Sequence, residues 1–210
     1  MAKIEEIFEA VEKGKVKIIE GLVEEALAEG IAPLSILNEG MANAMALIGD
    51  KFQRSEIFVP EMLIAAKTMK KGVEILKPAM GGASIASRGK CIIGTVFGDL
   101  HDIGKNLVML MIESSGFEVI DLGVDVSVEK FVNAIKDNPD VRIVGLSCLL
   151  TTTMPALQET AKAIKDSGLS GFKLIVGGAP VTQEFADQIG ADGYSPDAAS
   201  AAELAKKLVA

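Results

Sequence analysis

Apolar residues recur at helical spacing through the first third of the chain. Ile18, Ile19, Leu22, Val23, Ala26 and Leu27 form one stripe, and Leu34, Leu37, Met41, Ala44, Met45 and Ile48 a second. Val59, Met62, Leu63, Ala66, Met69, Val73 and Leu76 form a third. Positions three and four apart share a helix face, so each stripe predicts an amphipathic helix. Gly30 followed by Pro33, and the polar stretch GDKFQRSE at 49–56, separate the stripes, and Pro60 suits a first helical turn. A shorter helix at about 3–13 completes an expected four-helix bundle over residues 1–76. Residues 77–89, KPAMGGASIASRG, hold Pro, three glycines and small residues without a period, and read as a linker.

From Lys90 the pattern changes. Short apolar runs at 90–96, 117–123, 141–149 and 172–178, with a weaker one at 191–195, alternate with helical patterns near 104–115, 127–137, 154–167, 181–189 and 197–208. That alternation predicts βαβ units. Residues 90–210 are therefore expected to form an α/β domain, a doubly wound five-stranded parallel sheet of Rossmann or flavodoxin-like type. In such sheets ligands bind beyond the carboxyl ends of the strands. The segments to inspect are thus FGDLHDIG, SCLLTTT, GGAP and YSPDA, one after each of four strands.

Composition narrows the function. The net charge is −8, no run of Lys and Arg occurs, and there is one Tyr and no Trp, which argues against a nucleic-acid surface. No apolar run reaches membrane-spanning length, and the acidic N-terminus MAKIEEIFEA is unlike a signal peptide. Cys91 and Cys148 sit inside apolar runs, as reduced, buried thiols would. A cytoplasmic protein with no membrane contact is expected.

His101 is the sole histidine of 210 residues. Asp99, two positions earlier, can accept from one ring nitrogen and fix the tautomer, leaving the other nitrogen free as a metal ligand. One histidine does not hold a bare metal ion selectively, and no Cys or second His helps. It can supply one axial ligand to a metal already held by a macrocycle, which leaves haem or a corrinoid.

DLHDIG is followed by 42 residues, then Ser147-Cys148-Leu149, then 27 residues, then Gly177-Gly178. This order resembles the cobalamin-binding domain family, whose pattern is Asp-x-His-x-x-Gly, Ser-x-Leu and Gly-Gly. GDLHDIGKN, LLTTTM and GADGYSPDAASAAELAKKL are similar to the corrinoid proteins of methyltransferase systems, and GDKFQRSEIFVPEML to their helical cap, so the resemblance covers nearly the whole chain. It implies a cobalamin cofactor, methylcobalamin when loaded, whose own benzimidazole leaves cobalt and enters a slot in the sheet domain. By the same resemblance His101 is the cobalt ligand, and Asp99 and Thr153 complete a relay in which methionine synthase carries serine at the third place. Ser147 would bond the buried heterocycle, Leu149 pack on it, and Gly177 and Gly178 allow close approach. Asp102, Gly104 and Thr151 would lie against the cofactor, with Phe58, Met62 and Leu63 as candidates for the cap over the methyl group. Thr151 and Thr152 also suit a helix cap, and Lys105 and Asp102 also suit solvated surface.

The activity implied is methyl carriage rather than a complete enzyme. A substrate-specific methyltransferase would load the cofactor, an acceptor methyltransferase would pass the methyl to tetrahydrofolate or a thiol, and an ATP-dependent reductive activase would restore it. Two other cobalamin proteins share the motif. A radical mutase subunit generally lacks the helical cap, and a cobalamin-based light sensor adds a DNA-binding head for which the chain has neither room nor charge. A corrinoid-free flavodoxin or receiver-like module is the fold-level alternative.

Overall fold

The computed structural model describes residues 2–80 and 88–210, which divide into two compact units, one helical and one built on a sheet. In the helical unit, α1 spans Ala2–Glu12 and α2 spans Ile19–Ala28. A continuous helical run over 33–53 then comprises α3 (Pro33–Ser35), a π-helical segment (Ile36–Ala42) and α4 (Asn43–Gln53). It is followed by α5 (Val59–Ala79). Each stripe buries part of its length: Ile19 and Val23, Met41 and Ile48, and Met62, Met69 and Leu76 are buried, together with Ile7 of α1, whereas Ile18, Leu34, Val59 and Leu63 of the same stripes are exposed. Two glycines permit close packing. A Cβ on Gly40 would stand 3.0 Å from Ile7 Cγ2, and one on Gly72 would stand 2.5 Å from Met41 Cε.

The sequence pattern ends the third stripe at Leu76, but α5 continues to Ala79 with Pro78 in its last turn. Proline there removes a single backbone donor, a small loss at a helix end. The rest of the expected 77–89 linker lies mostly outside the described residues. The π-helical segment has no counterpart in the sequence reading, because its apolar spacing is still close to helical.

In the second unit the strands are β1 (Lys90–Thr95), β2 (Glu118–Asp121), β3 (Val141–Ser147), β4 (Lys173–Gly177) and β5 (Gly193–Tyr194). They pair in parallel in the order β2-β1-β3-β4-β5. The helices are α6 (Ile103–Ser114), α7 (Val128–Asp137), α8 (Met154–Asp166), α9 (Gln183–Ile189) and α10 (Ala198–Val209). This is the flavodoxin-like order, whose switch point lies between β1 and β3. Both central strands are buried along almost their whole length, which is why they read as unbroken apolar runs rather than alternations.

Phe131 of α7 is fully buried among Ile92, Val144, Leu146 and Leu157. A Cβ on Gly94 would come within 2.7 Å of its Cζ, so the ring packs on bare strand backbone. Tyr194 is the chain's sole tyrosine and packs against this core. Its fluorescence therefore reports on the sheet unit alone. Phe131→Ala is expected to lower the stability of that unit by about 3–5 kcal/mol, read as an earlier urea midpoint in Tyr194 fluorescence. A midpoint within experimental scatter of the parent would show that the ring is not central to the core.

Candidate corrinoid site

The site is assembled where the chain leaves β1 and β3 at the switch point. After β1 the backbone turns at Gly98, which has φ +78°, and passes through Asp99 to His101 before α6 begins. After β3 it runs through Leu149 and Leu150 into a 3-10 turn, Thr151–Thr153, and then α8. Asp99 joins the two loops. Its side chain is fully buried, and its Oδ1 accepts from His101 Nδ1 at 2.7 Å and from the His101 backbone N–H at 3.1 Å. Its Oδ2 accepts from the Leu149 N–H at 2.7 Å and from Thr153 Oγ1 at 2.7 Å.

A buried carboxylate is costly unless its lone pairs are filled, and these four donors, with the Leu150 N–H at 3.4 Å from Oδ2, fill them. Burial alone would raise the Asp99 pKa. The Leu149 amide, the Thr153 hydroxyl and the His101 ring and amide outweigh it and hold the carboxyl well below the usual range. The carboxylate is consequently an acceptor only, so Nδ1 carries the imidazole proton and Nε2 presents a lone pair. Nε2 has no hydrogen-bond partner among the described residues, and the His101 side chain is half exposed. Thr95 Oγ1 donates to the His101 carbonyl at 2.9 Å, steadying the loop from beneath.

Thr153 stands at the N-cap of α8, where threonine would ordinarily bond the first helical amides. It makes no such cap, because its hydroxyl is turned to Asp99 and lies 2.9 Å from the Leu150 carbonyl. Its methyl lies on the Gly98 side, with Cγ2 3.8 Å from where a Gly98 Cβ would be. The methyl that serine lacks is therefore accommodated without disturbing the hydroxyl. Thr151 and Thr152 are exposed and cap nothing.

Do these residues suit a corrinoid? Around His101 stand Phe97, Leu100, Ile103, Leu149 and Leu150, all substantially exposed, with Ile103 at 85%. Large apolar groups left open around an unpartnered imidazole nitrogen suit a flat, largely apolar macrocycle. Gly104 is exposed, and a Cβ there would meet nothing within 4 Å, so the chain's own packing does not require glycine. The Ser147 hydroxyl, at the end of β3, likewise has no partner among the described residues. No group of three or more His, Cys, Asp or Glu side chains could hold a metal ion among the described residues, so one protein ligand to a metal held elsewhere is the arrangement that fits.

Other expected site residues take different places. Gly177 and Gly178 are explained by the sheet itself. A Gly177 Cβ would lie 3.3 Å from the Ser195 carbonyl oxygen, and one on Gly178, at φ +128°, would lie 1.7 Å from the Cys148 carbonyl oxygen. Met62 is fully buried in the helical unit, whereas Phe58 and Leu63 are exposed, Phe58 at 66%. Met62 shares the inward face of Ala65, Ala66 and Met69, and Leu63, one residue on, points elsewhere. Asp102 is exposed and bonds Asn106 Nδ2 at 3.1 Å, but Lys105 is not solvated surface. Its ammonium is buried and meets Asp121 at 2.6 Å, 16 residues away and therefore outside any local pattern. Asp197 of YSPDA caps α10 through the Ser200 N–H at 2.8 Å. Cys148 is buried beside Asp99. Burial first, then that charge, pushes its thiol up to about 11 against the Thr153 bond, so it is inert.

Asp99 titrates near 3.9 in an unfolded chain and lower in the fold, so over that interval the unfolded chain binds the extra proton. Its contribution is complete above about pH 4 and is lost as pH falls through the folded value. Asp99→Asn is expected to lower stability at pH 7 by about 3 kcal/mol. It should also flatten the loss of stability below about pH 4, measured by urea unfolding through Tyr194. An unchanged acid limb would mean that the carboxylate is not held as described.

Comparison with known proteins agrees with this geometry. Residues 89–203 match the B12 binding domain, and residues 3–77 match a second B12 binding domain family. Dimethylamine corrinoid protein 1 of Methanosarcina acetivorans is 41% identical over 210 residues, covering 99% of this chain and 97% of the relative. A cobalamin-binding protein from Desulfitobacterium hafniense superposes with a TM-score of 0.84 at 32% identity, covering all of both chains. A chain of the methanol:cobalamin methyltransferase complex MtaBC from Methanosarcina barkeri superposes with a TM-score of 0.87 at 27% identity, covering 99% of this chain and 80% of that one. With the open Nε2 of His101 at its switch point, the chain belongs to the B12-binding domain family, among the corrinoid proteins of methyltransferase systems, and its cofactor is cobalamin.

Proposed function

We propose that this protein carries a methyl group between two methyltransferases, with His101 as the residue that would hold the metal of its cofactor and Asp99 and Thr153 as the relay behind it. One observation carries the reading: the imidazole is anchored through Nδ1 to a buried carboxylate while Nε2 is left open. Bound cobalamin supplies the metal on which the methyl group rides; the chain supplies everything that steers it. Asp99 holds the ring direction through Nδ1 and leaves Nε2 as the open donor atom. Thr153 and the Leu149 amide hold Asp99. Nε2 would hold the metal of the bound cofactor, and when not so engaged it would be the ring atom open to a proton, with the Asp99 carboxylate 2.7 Å from Nδ1 facing the opposite edge of the ring.

Ser147 is assigned to the cofactor's displaced base and Leu149 to its packing surface. Gly104, Asp102 and Thr151 would contact the cofactor when it is bound. Residues 1–76 act as the helical cap and 90–210 as the cofactor domain, joined over 77–89. The partners are a methyltransferase that loads the carrier, a second that unloads it to tetrahydrofolate or a thiol, and an ATP-dependent reductive activase. Among the described residues no helix is long and apolar enough to cross a membrane, and the two buried free thiols suit the cytoplasm.

The test uses the single histidine. The protein is labelled uniformly with nitrogen-15, loaded with unlabelled cobalamin and reduced to cobalt(II), and its paramagnetic resonance spectrum is recorded. Each cobalt line is expected to split into a doublet, because the axial nitrogen comes from His101, and His101→Ala should abolish it. A triplet would mean that the cofactor keeps its own base and would overturn the relay.

A further inference from the structure

Asp125 lies in the loop after β2, outside every motif above, and its backbone has φ +51°, a left-handed conformation that non-glycine residues rarely adopt. Two bonds tie it to the histidine loop. Its Oδ1 accepts from the Gly98 N–H at 2.7 Å, and its own N–H donates to the Asp99 carbonyl at 2.9 Å. The same loop is zipped to the end of β1. The Thr95 N–H donates to the Gly123 carbonyl and the Val126 N–H to the Thr95 carbonyl, each at 3.0 Å, and Val96 bridges Val126. The Asp125 carboxylate is exposed and meets no cation among the described residues, so its one structural partner is the Gly98 amide.

Asp99 is therefore fixed from opposite sides. Its carboxylate is held by the loop after β3, and its backbone by the loop after β2. Thr95 Oγ1 holds the His101 carbonyl and the Asp99 N–H donates to the Val96 carbonyl at 3.1 Å, but neither engages the Gly98 N–H or the Asp99 carbonyl. The Asp125 contacts fix those two groups and so restrict the remaining rotation of the peptides leading to His101.

We propose that Asp125 is a positioning residue that sets the angle at which His101 presents Nε2, acting through the backbone of Gly98 and Asp99. This rests on the reading of His101 as the axial ligand.

Two variants separate acceptor from backbone. Asp125→Asn keeps a carbonyl acceptor and tolerates the left-handed conformation, whereas Asp125→Gly keeps the conformation and loses the acceptor. Both are labelled with nitrogen-15, loaded with unlabelled cobalamin and compared with the parent by paramagnetic resonance and by equilibrium retention of the cofactor. Asp125→Asn is expected to give the parental doublet. Asp125→Gly is expected to lose a substantial share of the doublet to a triplet or unsplit signal and to bind cobalamin about tenfold more weakly, with its urea midpoint by Tyr194 close to the parental one. A full doublet and affinity within about twofold in Asp125→Gly would overturn the inference. So would equal losses in both variants, or a loss that merely follows a collapsed urea midpoint. A parental protein without the doublet would instead overturn the His101 reading, and this inference with it.

Discussion

The burial of one carboxylate organises the sheet unit's functional end. Asp99 is removed from water at a cost of several kcal/mol, and the fold meets that cost with donors from two loops that are 50 residues apart in sequence. Each donor is constrained in return. Leu149 and Leu150 must turn their amides inward, which leaves their side chains outward as apolar surface. Thr153 gives up its helix-capping role. His101 is left with a single open nitrogen among the described residues, a consequence of the same requirement for hydrogen-bond satisfaction.

The position of this carboxylate is no accident of loop length. At the switch point of a parallel sheet, the connections from β1 and β3 depart to opposite faces, and a crevice opens between them. Asp99 spans that crevice at its floor, and His101 stands at its mouth. Around the mouth, glycine serves two separate ends. Gly177 and Gly178 let β4 pass the carbonyls of Ser195 and Cys148, a requirement of the sheet, while Gly104 keeps a surface low that nothing in the chain itself would crowd. Packing thus accounts for glycine at 177 and 178, whereas no contact within the chain accounts for it at 104.

The helical unit rests on different physics. Among its described residues it has no buried charge network comparable to that of Asp99. Its buried stripe is aliphatic and methionine-rich, and Gly40 and Gly72 bring helices close. Methionine tolerates repacking, so this buried stripe can adapt its packing.

Periodicity and order carried a great deal of this protein. The helical stripes, the run-and-helix alternation and the spacing of DLHDIG, SCL and GG are local or one-dimensional properties, and they were sufficient for the two units, the parallel sheet and the choice of His101. Tertiary structure decided which of several adjacent residues does what. Met62 turns inward while Leu63 does not, Lys105 is buried against Asp121 rather than solvated, and Gly178 answers to the Cys148 carbonyl. Asp125 reaches Gly98 across 27 residues. Such contacts leave no trace in spacing, because a hydrogen bond between distant segments is fixed by where the sheet sets the two loops down. The chain determined by itself that a histidine would stand at the switch point. Only the fold decided which way its nitrogen faces.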